Sequence, residues 1–337
     1  MLVAAAIPCT VVAATVVPKA PPAVGVQFHC TWTDYTNSTR TSVADRLRAA
    51  SVQWVRIDVG WKSLRPRRGS IGRAYQTRLD NCVDLARRRG FRVLLTLGWT
   101  PRWASADGDD RSPPTQARDY AAIAQWLARR YRGRVAAYEV WNEPNLTDFW
   151  TGTVEDYVRV LRAAYPAFKR GDRKALVVFG GPSGNDDVFI RRAYAAGARG
   201  SFDVMATHPY QGSADAPPEY VDDGERWWLT HVPSVRRAMI DAGDAKKPIW
   251  FTETGWSAHA NDPDTARWRL GVDERIQADY ATRMLRLVRT TYPYVTHVFW
   301  YSEWARLEGE DVHLRGFGLL RPDLSPRPVY DALKNRP

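Results

Sequence analysis

Two glutamates, 110 positions apart, each follow a short apolar run and constrain the fold more than any other feature of the chain. Glu143 comes after the run at 136–141, and Glu253 comes after the run at 248–251. Runs of this length, rich in β-branched and aromatic residues, are typical of buried strands. Because an unpaired buried carboxylate is costly, each needs a role. Two carboxylates on separate strands are typical of paired acid and nucleophile chemistry.

Strand and helix patterns alternate from residue 24 to residue 334. Strands are predicted at residues 24–28, 53–59, 92–97, 136–143, 175–179, 202–207, 248–253 and 295–301. Eight parallel strands joined by right-handed helical crossovers close into a single (β/α)8 TIM barrel. An open doubly wound sheet is the competing architecture, but no glycine-rich phosphate loop follows the first strand.

The first residues have the composition of a targeting segment. Residues 2–17 are apolar or small apart from Pro8, Thr10 and Thr15. The run is shorter than the ~20 residues of a membrane-spanning helix. It is typical of a secretory signal core, although the usual basic stretch before it is missing. We therefore predict a leader at 1–23 and a barrel domain at 24–337, in a secreted or cell-envelope protein. An uncleaved anchor or a tail without function are the alternatives.

Charge and cysteine content leave alternatives open. The net charge is +11, and only seven of the 48 basic residues are lysines. This indicates either an anionic partner, such as an acidic polysaccharide, or a bias toward arginine on solvated helix faces. No nucleic-acid-binding motif accompanies the charge. Cys30 and Cys82 could pair in an exported protein or remain buried thiols, while Cys9 lies in the leader.

Polar and aromatic residues stand at seven of the eight predicted strand ends, where the active sites of such barrels lie. They are His29, Arg56, Trp99, Asn142, Glu143, His208, Tyr210, Glu253 and Trp300. A set of this size indicates a functional site and not chance. The tryptophans are either platforms for sugar rings or core filling.

The motifs resemble those of retaining glycoside hydrolases with a (β/α)8 barrel, the enzymes of clan A. The stretch 139–145, Glu-Val-Trp-Asn-Glu-Pro-Asn, together with Pro-Arg-Trp-Ala at 101–104, is most similar to glycoside hydrolase family 39. The segments 316–320 and 326–330 also resemble the closing part of such barrels. The resemblance covers roughly residues 24–335.

The resemblance implies roles for three residues around the cleaved bond. Glu143 matches the general acid/base and Glu253 the nucleophile. A retaining mechanism needs the two carboxyls about 5–5.5 Å apart, one protonated at rest and the other ionised. Asn142 matches the residue that binds the sugar 2-hydroxyl.

The resemblance also implies residues that support the nucleophile and the sugar. Tyr210 matches a hydrogen-bond donor to the nucleophile, and His208 a neighbour in the same network or else an interior histidine. Trp300 matches the platform under the sugar. Arg56 matches an arginine that keeps the nucleophile charged.

Several assignments keep a structural alternative. On a strand, Glu139 points to the same face as Glu143, four residues later, and so may also lie inside the barrel. A buried Glu139 needs a cation, and Arg56 could pair with it instead of with the nucleophile. Trp99 and Trp103 are either sugar platforms or packing residues, and His29 is a binding residue or a structural one. Related barrels often carry a histidine at the end of strand three, where this chain has Leu97-Gly98-Trp99. This difference concerns the choice of substrate more than the chemistry.

The resulting hypothesis is a retaining glycoside hydrolase, a monomer that cleaves a polysaccharide internally and needs no cofactor or metal. Family 39 xylosidases tend to carry an extra β-sandwich, and a bare barrel fits internal cleavage better. An exo-acting β-xylosidase-type enzyme is the alternative. A barrel that binds glycans without cleaving them is the alternative of another class, and the intact carboxylate pair argues against it. No transmembrane span is predicted beyond a possible N-terminal anchor.

Overall fold

Eight parallel strands form the centre of the molecule. The computed structural model describes residues 20–305 and 311–336. The strands are β1 (Ala23–Gln27), β2 (Trp54–Gly60), β3 (Arg92–Gly98), β4 (Ala137–Val140), β5 (Leu176–Phe179), β6 (Met205–Thr207), β7 (Ile249–Thr254) and β8 (Val295–Trp300). They pair in the order β5-β4-β3-β2-β1-β8-β7-β6, and a parallel bridge between Val178 and Val204 joins the two ends. The predicted single (β/α)8 barrel is confirmed.

Helices connect the strands on the outside of the barrel. They are α1 (Asn37–Ala49), α2 (Trp61–Leu64), α3 (Arg73–Arg88), α4 (Ala117–Arg130), α5 (Val154–Gly171), α6 (Asp187–Ala195), α7 (Val232–Asp241), α8 (Glu274–Thr291), α9 (Val312–Gly316) and α10 (Pro328–Lys334). The Thr153 hydroxyl accepts from the Asp156 amide, and the Asp156 carboxylate accepts from the Thr153 amide, so a capping box fixes the start of α5. None of the described helices is both long and apolar enough to cross a membrane.

Side chains alternate between two apolar layers because successive residues of a strand point to opposite faces of the sheet. The barrel interior is filled by Trp54, Leu94, Ala137, Val178, Val204, Ala206, Trp250 and Phe299. Trp54 and Trp250 meet edge to face there, with ring centroids 5.1 Å apart. A larger layer between the strands and the helices completes the core. The interior is therefore packed at the amino ends of the strands, which leaves the carboxyl ends for a site.

A disulfide joins two neighbouring elements beside that carboxyl end. Cys30, in the loop after β1, is bonded to Cys82 of α3, which settles the pairing that the sequence leaves open. The predicted leader at 1–23 lies outside the described residues as far as residue 19.

Candidate active site

A cavity of about 870 Å³ opens at the carboxyl ends of the strands. Both sequence-predicted carboxylates line it, together with Asn142, Tyr210, His29 and Trp99. Aromatic side chains that the sequence analysis did not select also line it: Trp32, Phe149, Trp227, Trp256, Tyr301 and Phe317. Polar groups at the bottom of a largely aromatic cavity are typical of a small-molecule or sugar site.

The two carboxylates reach the cavity in different ways. Glu253 is the fifth residue of β7, whereas β4 ends at Val140, so Glu143 lies three residues beyond the strand and not at its last position. Glu143 has a φ of 43° and Trp141 a φ of 73°, in the left-handed region that residues other than glycine rarely adopt. Such strain is typical of functional sites. The Glu143 carboxylate lines the cavity from this position and contacts His208.

One oxygen of Glu143, one of Glu253 and one ring nitrogen of His208 all lie within 4.8 Å of one another. The two carboxyls are therefore as close as a retaining pair requires. A metal ion could also be held by these three atoms, so the expectation of no metal or cofactor stays a prediction.

Arg56 connects nearly every polar group at the bottom of the cavity. Its Nη1 donates to Glu253 at 2.6 Å, its Nε to Glu139 at 2.7 Å, and its Nη2 to the Asn142 side-chain oxygen at 2.7 Å. The side chain is only 1% exposed. The two alternatives drawn from the sequence are therefore both realised, because the planar guanidinium serves Glu139 and Glu253 at once.

Glu139 is a buried carboxylate with a full set of hydrogen-bond donors. Besides Arg56, the hydroxyls of Thr96 and Thr252 donate to it at 2.6 and 2.8 Å. The Gly181 amide adds a longer bond of 3.3 Å. Since its oxygens are occupied by protein groups, Glu139 orients Arg56 and does not face the substrate.

Fixed donors surround Glu253. The Tyr210 hydroxyl donates to Oε2 at 3.1 Å, opposite the oxygen that accepts from Arg56. Burial alone would raise the pKa of Glu253, but the positive charges of His208 and Arg56 outweigh it and lower that pKa. Burial, followed by the nearby charge of Glu253, raises the pKa of Tyr210 far above its usual range, so its hydroxyl keeps its proton. Glu253 is thereby kept ionised and oriented.

His208 faces the other glutamate. Its Nδ1 lies 2.9 Å from Glu143 Oε1, and its Nε2 lies 3.0 Å from the Thr252 hydroxyl. The sequence placed His208 in the network of the nucleophile, but its hydrogen bond goes to Glu143, and Glu253 is 3.9 Å away. Burial opposes the charged form, yet Glu253 and Glu143 together raise the pKa of His208. The imidazole is therefore placed to exchange a proton with Glu143.

Trp300, predicted as the platform under the sugar, does not line the cavity. It is 1% exposed, and its indole nitrogen donates to the Phe317 carbonyl at 2.8 Å. The reason is strand parity: Phe299 fills the barrel interior, so Trp300 points to the helix layer and Tyr301 points inward again. The prediction for Trp300 was wrong by one position, because Tyr301 and not Trp300 lines the cavity.

For Trp103, the structure realises the packing alternative and not the sugar platform. Its indole donates to the Arg65 carbonyl at 2.8 Å, and its ring packs edge to face on Trp61 at 5.8 Å. It is a packing residue of the loop after β3, outside the cavity. Trp99 does line the cavity and has a φ of 64°.

His29 also lines the cavity, and a buried network orients it. Both its amide and its Nδ1 contact the carboxylate of Glu303, at 2.8 and 3.0 Å, and the Tyr35 hydroxyl donates to the same carboxylate. Glu303 was not predicted as a site residue from the sequence, and neither was Asp58 of β2, which lines the cavity. Asp58 shares side-chain parity with Arg56, and that parity could have indicated it.

Fold and site together define a glycoside hydrolase barrel of clan A. The sequence profile of the cellulases, glycosyl hydrolase family 5, matches residues 19–302. The chain belongs to this family. The similarity to family 39 is also found in the fold, which solved glycoside hydrolases of that family share with this chain.

Three comparisons define these relationships. The chain is 25% identical over 279 residues to a β-xylosidase of Caldicellulosiruptor saccharolyticus, covering 76% of the chain and 55% of that protein. It is 28% identical over 296 residues to a β-xylosidase of Geobacillus stearothermophilus, covering 76% and 54%. A family 39 glycoside hydrolase from Bacteroides cellulosilyticus shares the fold, with a TM-score of 0.74 at 24% identity, over 93% of this chain and 63% of that one. The chain spans about half the length of the two β-xylosidases.

Proposed function

We propose that the protein is a retaining glycosidase in which Glu143 is the acid/base and Glu253 the nucleophile. The observation that carries the proposal is the distance of at most 4.8 Å between an oxygen of one and an oxygen of the other. Retaining glycosidases place their carboxyls about 5–5.5 Å apart, whereas inverting enzymes need about 6.5–9.5 Å to admit water.

The reaction proceeds in two displacements. The Glu143 carboxyl donates its proton to the glycosidic oxygen while Glu253 attacks the anomeric carbon, so the leaving group departs as an alcohol. Water then attacks the glycosyl-enzyme, and Glu143 takes the proton of that water as Glu253 leaves. Each group returns to its starting protonation state, and the anomeric configuration is retained.

The surrounding contacts support this division. Arg56 and Tyr210 hold the Glu253 carboxylate by two hydrogen bonds, at 2.6 and 3.1 Å. Asn142 accepts from Arg56 through its side-chain oxygen, which leaves its amide NH₂ to meet the sugar 2-hydroxyl. Such a hydrogen bond strengthens as charge develops in the transition state.

The test is chemical rescue. Glu253→Ala should abolish turnover of an activated aryl glycoside, and azide should restore it with a product of inverted configuration. Glu155→Ala removes a glutamate whose side chain is 62% exposed and should leave activity unchanged. Wild-type activity in Glu253→Ala would refute the proposal. Glycan binding without any turnover of the wild type would favour a binding barrel.

The substrate is, on this proposal, a polysaccharide cleaved internally. A cavity of about 870 Å³, with aromatic side chains from the loops after β1, β4 and β6, can hold sugars on more than one side of the cleaved bond. A rapid fall in polymer viscosity is expected. Release of single sugars from a chain end would favour the alternative, an exo-acting β-xylosidase-type enzyme, which the names of the two relatives suggest.

We also propose that the protein is exported and monomeric. The Cys30–Cys82 disulfide supports export, because disulfides persist in oxidising compartments. Protein recovered outside the cell, with an intact mass that starts near residues 20–24, is the expected result. Retention of Met1 in a cytosolic fraction would contradict it. Light scattering tests the monomer.

A further inference from the structure

A second cavity of about 550 Å³ adjoins the catalytic one. Trp32, Asp58 and Trp99 form part of the wall of both. The rest of its wall comes from the loop after β1, from the end of β2 and α2, and from the first half of α3, which contributes Tyr75 and Arg78. Its volume lies in the range of about 300–1,000 Å³ that is common for small-ligand sites. A glycan bound at the catalytic carboxylates can therefore continue into it.

Arg78 brings to this cavity, whose wall also includes the carboxylates of Asp34 and Asp58, a cation that is not engaged by them. Its Nε is buried and has no hydrogen-bond partner among the described residues, where Arg78 also forms no ion pair. Its guanidinium carbon lies 5.7 Å from the centroid of the Tyr75 ring. Lys62, the other cation of the wall, is instead paired with Asp110. Arg78 thus keeps a planar set of donors available, which suits a carboxylate.

A second guanidinium nearby adds to the positive potential. Arg40 uses its donors on the backbone carbonyls of Cys30 and Trp32, each at 2.7 Å, and on the Asn37 side chain. Burial and then the charge of Arg78 lower the pKa of Arg40. The two cations therefore repel each other, and a bound anion would reduce that repulsion.

Asp58 supplies an acceptor where the two cavities meet. Its Oδ2 accepts from the Gln27 side chain at 2.8 Å, but its buried Oδ1 has no hydrogen-bond partner in the described part of the chain. An unsatisfied buried acceptor is costly, and a sugar hydroxyl is a suitable donor. Trp32 and Trp99 provide aromatic surface beside it, and the strained backbone of Trp99 fixes that residue at the junction.

The walls of the second cavity are held together covalently. Cys30 directly precedes the wall segment 31–34, and Cys82 lies one helical turn after Arg78. The disulfide therefore ties the loop after β1 to α3 across the cavity. A site whose walls are fixed in advance loses less entropy when a ligand binds.

We propose that the second cavity is a further subsite for a sugar unit that carries a carboxylate. Arg78 binds the carboxylate, Asp58 accepts from a hydroxyl, and Trp32 and Trp99 contact the ring. The proposal rests on the proposed function of the adjoining catalytic cavity, and it makes the preferred substrate an acidic polysaccharide.

Binding is measured by calorimetry on the full chain carrying Glu253→Gln, so that no turnover interferes. The probes are tetrasaccharides of glucuronic, galacturonic and mannuronic acid, each paired with its carboxyl-reduced neutral counterpart. At least one acidic probe should bind more tightly than its counterpart, and added salt should weaken only the acidic one. Arg78→Gln should weaken that binding about tenfold to hundredfold and leave the neutral counterpart unchanged. Arg73→Gln, an exposed residue of the same helix outside the cavity, is the control.

Equal binding of every acidic probe and its neutral counterpart, or no binding of any probe, would overturn the proposal. The proposal would also be overturned if Arg78→Gln, at an unchanged unfolding temperature, weakened the binding of the acidic probe and of its neutral counterpart equally. Failure of the glycosidase proposal looks different: Glu253→Ala would keep activity, or the wild type would show none, while the charge-dependent binding through Arg78 persisted.

Discussion

Among the described residues, Arg56 is the one cation that contacts both Glu139 and Glu253, and Arg56→Met removes it. In the wild type, Arg56 donates four hydrogen bonds of 2.6–2.9 Å, two of them to these carboxylates and two to Gln27 and Asn142. Its replacement leaves two buried negative charges beside a methionine that compensates neither. Breaking a buried ion pair costs about 3–5 kcal/mol of folding stability. We expect a loss in this range at pH 7, measured by urea unfolding.

The loss should depend on pH. The lowered pKa of Glu253 contributes stability above the unfolded pKa of about 4.3, and this is lost as pH falls through the folded value. Without Arg56 that pKa rises, so the variant takes up protons that the wild type does not. The difference in unfolding free energy between the wild type and Arg56→Met should therefore shrink as pH falls from 7 toward about 4. A difference that is the same at every pH would refute this electrostatic reasoning.

Two further variants separate charge from shape. Arg56→Lys keeps the charge but not the planar fork, so it should regain part of the stability and little activity. Arg48→Met, at an exposed arginine of α1, should change stability by less than about 0.5 kcal/mol. Because Arg56 orients the nucleophile, Arg56→Met should also lower kcat by about 10²–10³-fold on an aryl glycoside. A variant with full activity would mean that Tyr210 alone holds Glu253.

Three other predictions follow from single contacts. Tyr210→Phe removes the 3.1 Å bond to Glu253 and should lower kcat/KM about tenfold to hundredfold in steady-state assays, with unchanged circular dichroism. The raised pKa of His208 stabilises the fold below the unfolded value of about 6.5. Relative to His208→Gln, the wild type should therefore lose stability as pH rises above that value, measured by thermal unfolding. Cys82→Ser opens the loop closed by Cys30, a separation of 52 residues, and should cost about 4 kcal/mol in urea unfolding; reductant should give the wild type the same loss.

The barrel and the central charges were predictable because they follow from local patterns. Apolar runs mark the strands, and the carboxyl ends of parallel strands in a barrel converge. This brought Arg56, Asn142, Glu143 and Glu253 together correctly. The hydrogen-bond partner of His208 was not predictable. The sequence placed His208 in the network of Glu253, which lies 3.9 Å away, but its hydrogen bond goes to Glu143, because that choice depends on ångström-scale backbone placement.

Residues near strand ends were harder to place. Trp300 and Tyr301 are neighbours whose side chains point to opposite faces of the strand. An error of one position in the prediction therefore moves a side chain from the helix layer to the cavity. In β8, apolar residues occur on both faces of the strand, so the sequence pattern alone does not show which side chains point into the barrel. Contacts between distant loops were missed for a related reason. Glu303 reaches His29 across 274 positions, and no periodicity in the chain signals such a contact.

The different surroundings of the two glutamates support their proposed roles independently of any resemblance. Glu253 accepts hydrogen bonds from Arg56 and Tyr210, neither of which gives up its proton near neutral pH, so both contacts favour the ionised form. The side chain of Glu143 contacts the nitrogen of His208, and the proton between them can lie on either atom. A nucleophile needs the first environment, and a group that gives and then takes a proton needs the second. Exchanging the two roles would require Arg56 to lie beside Glu143, and it does not.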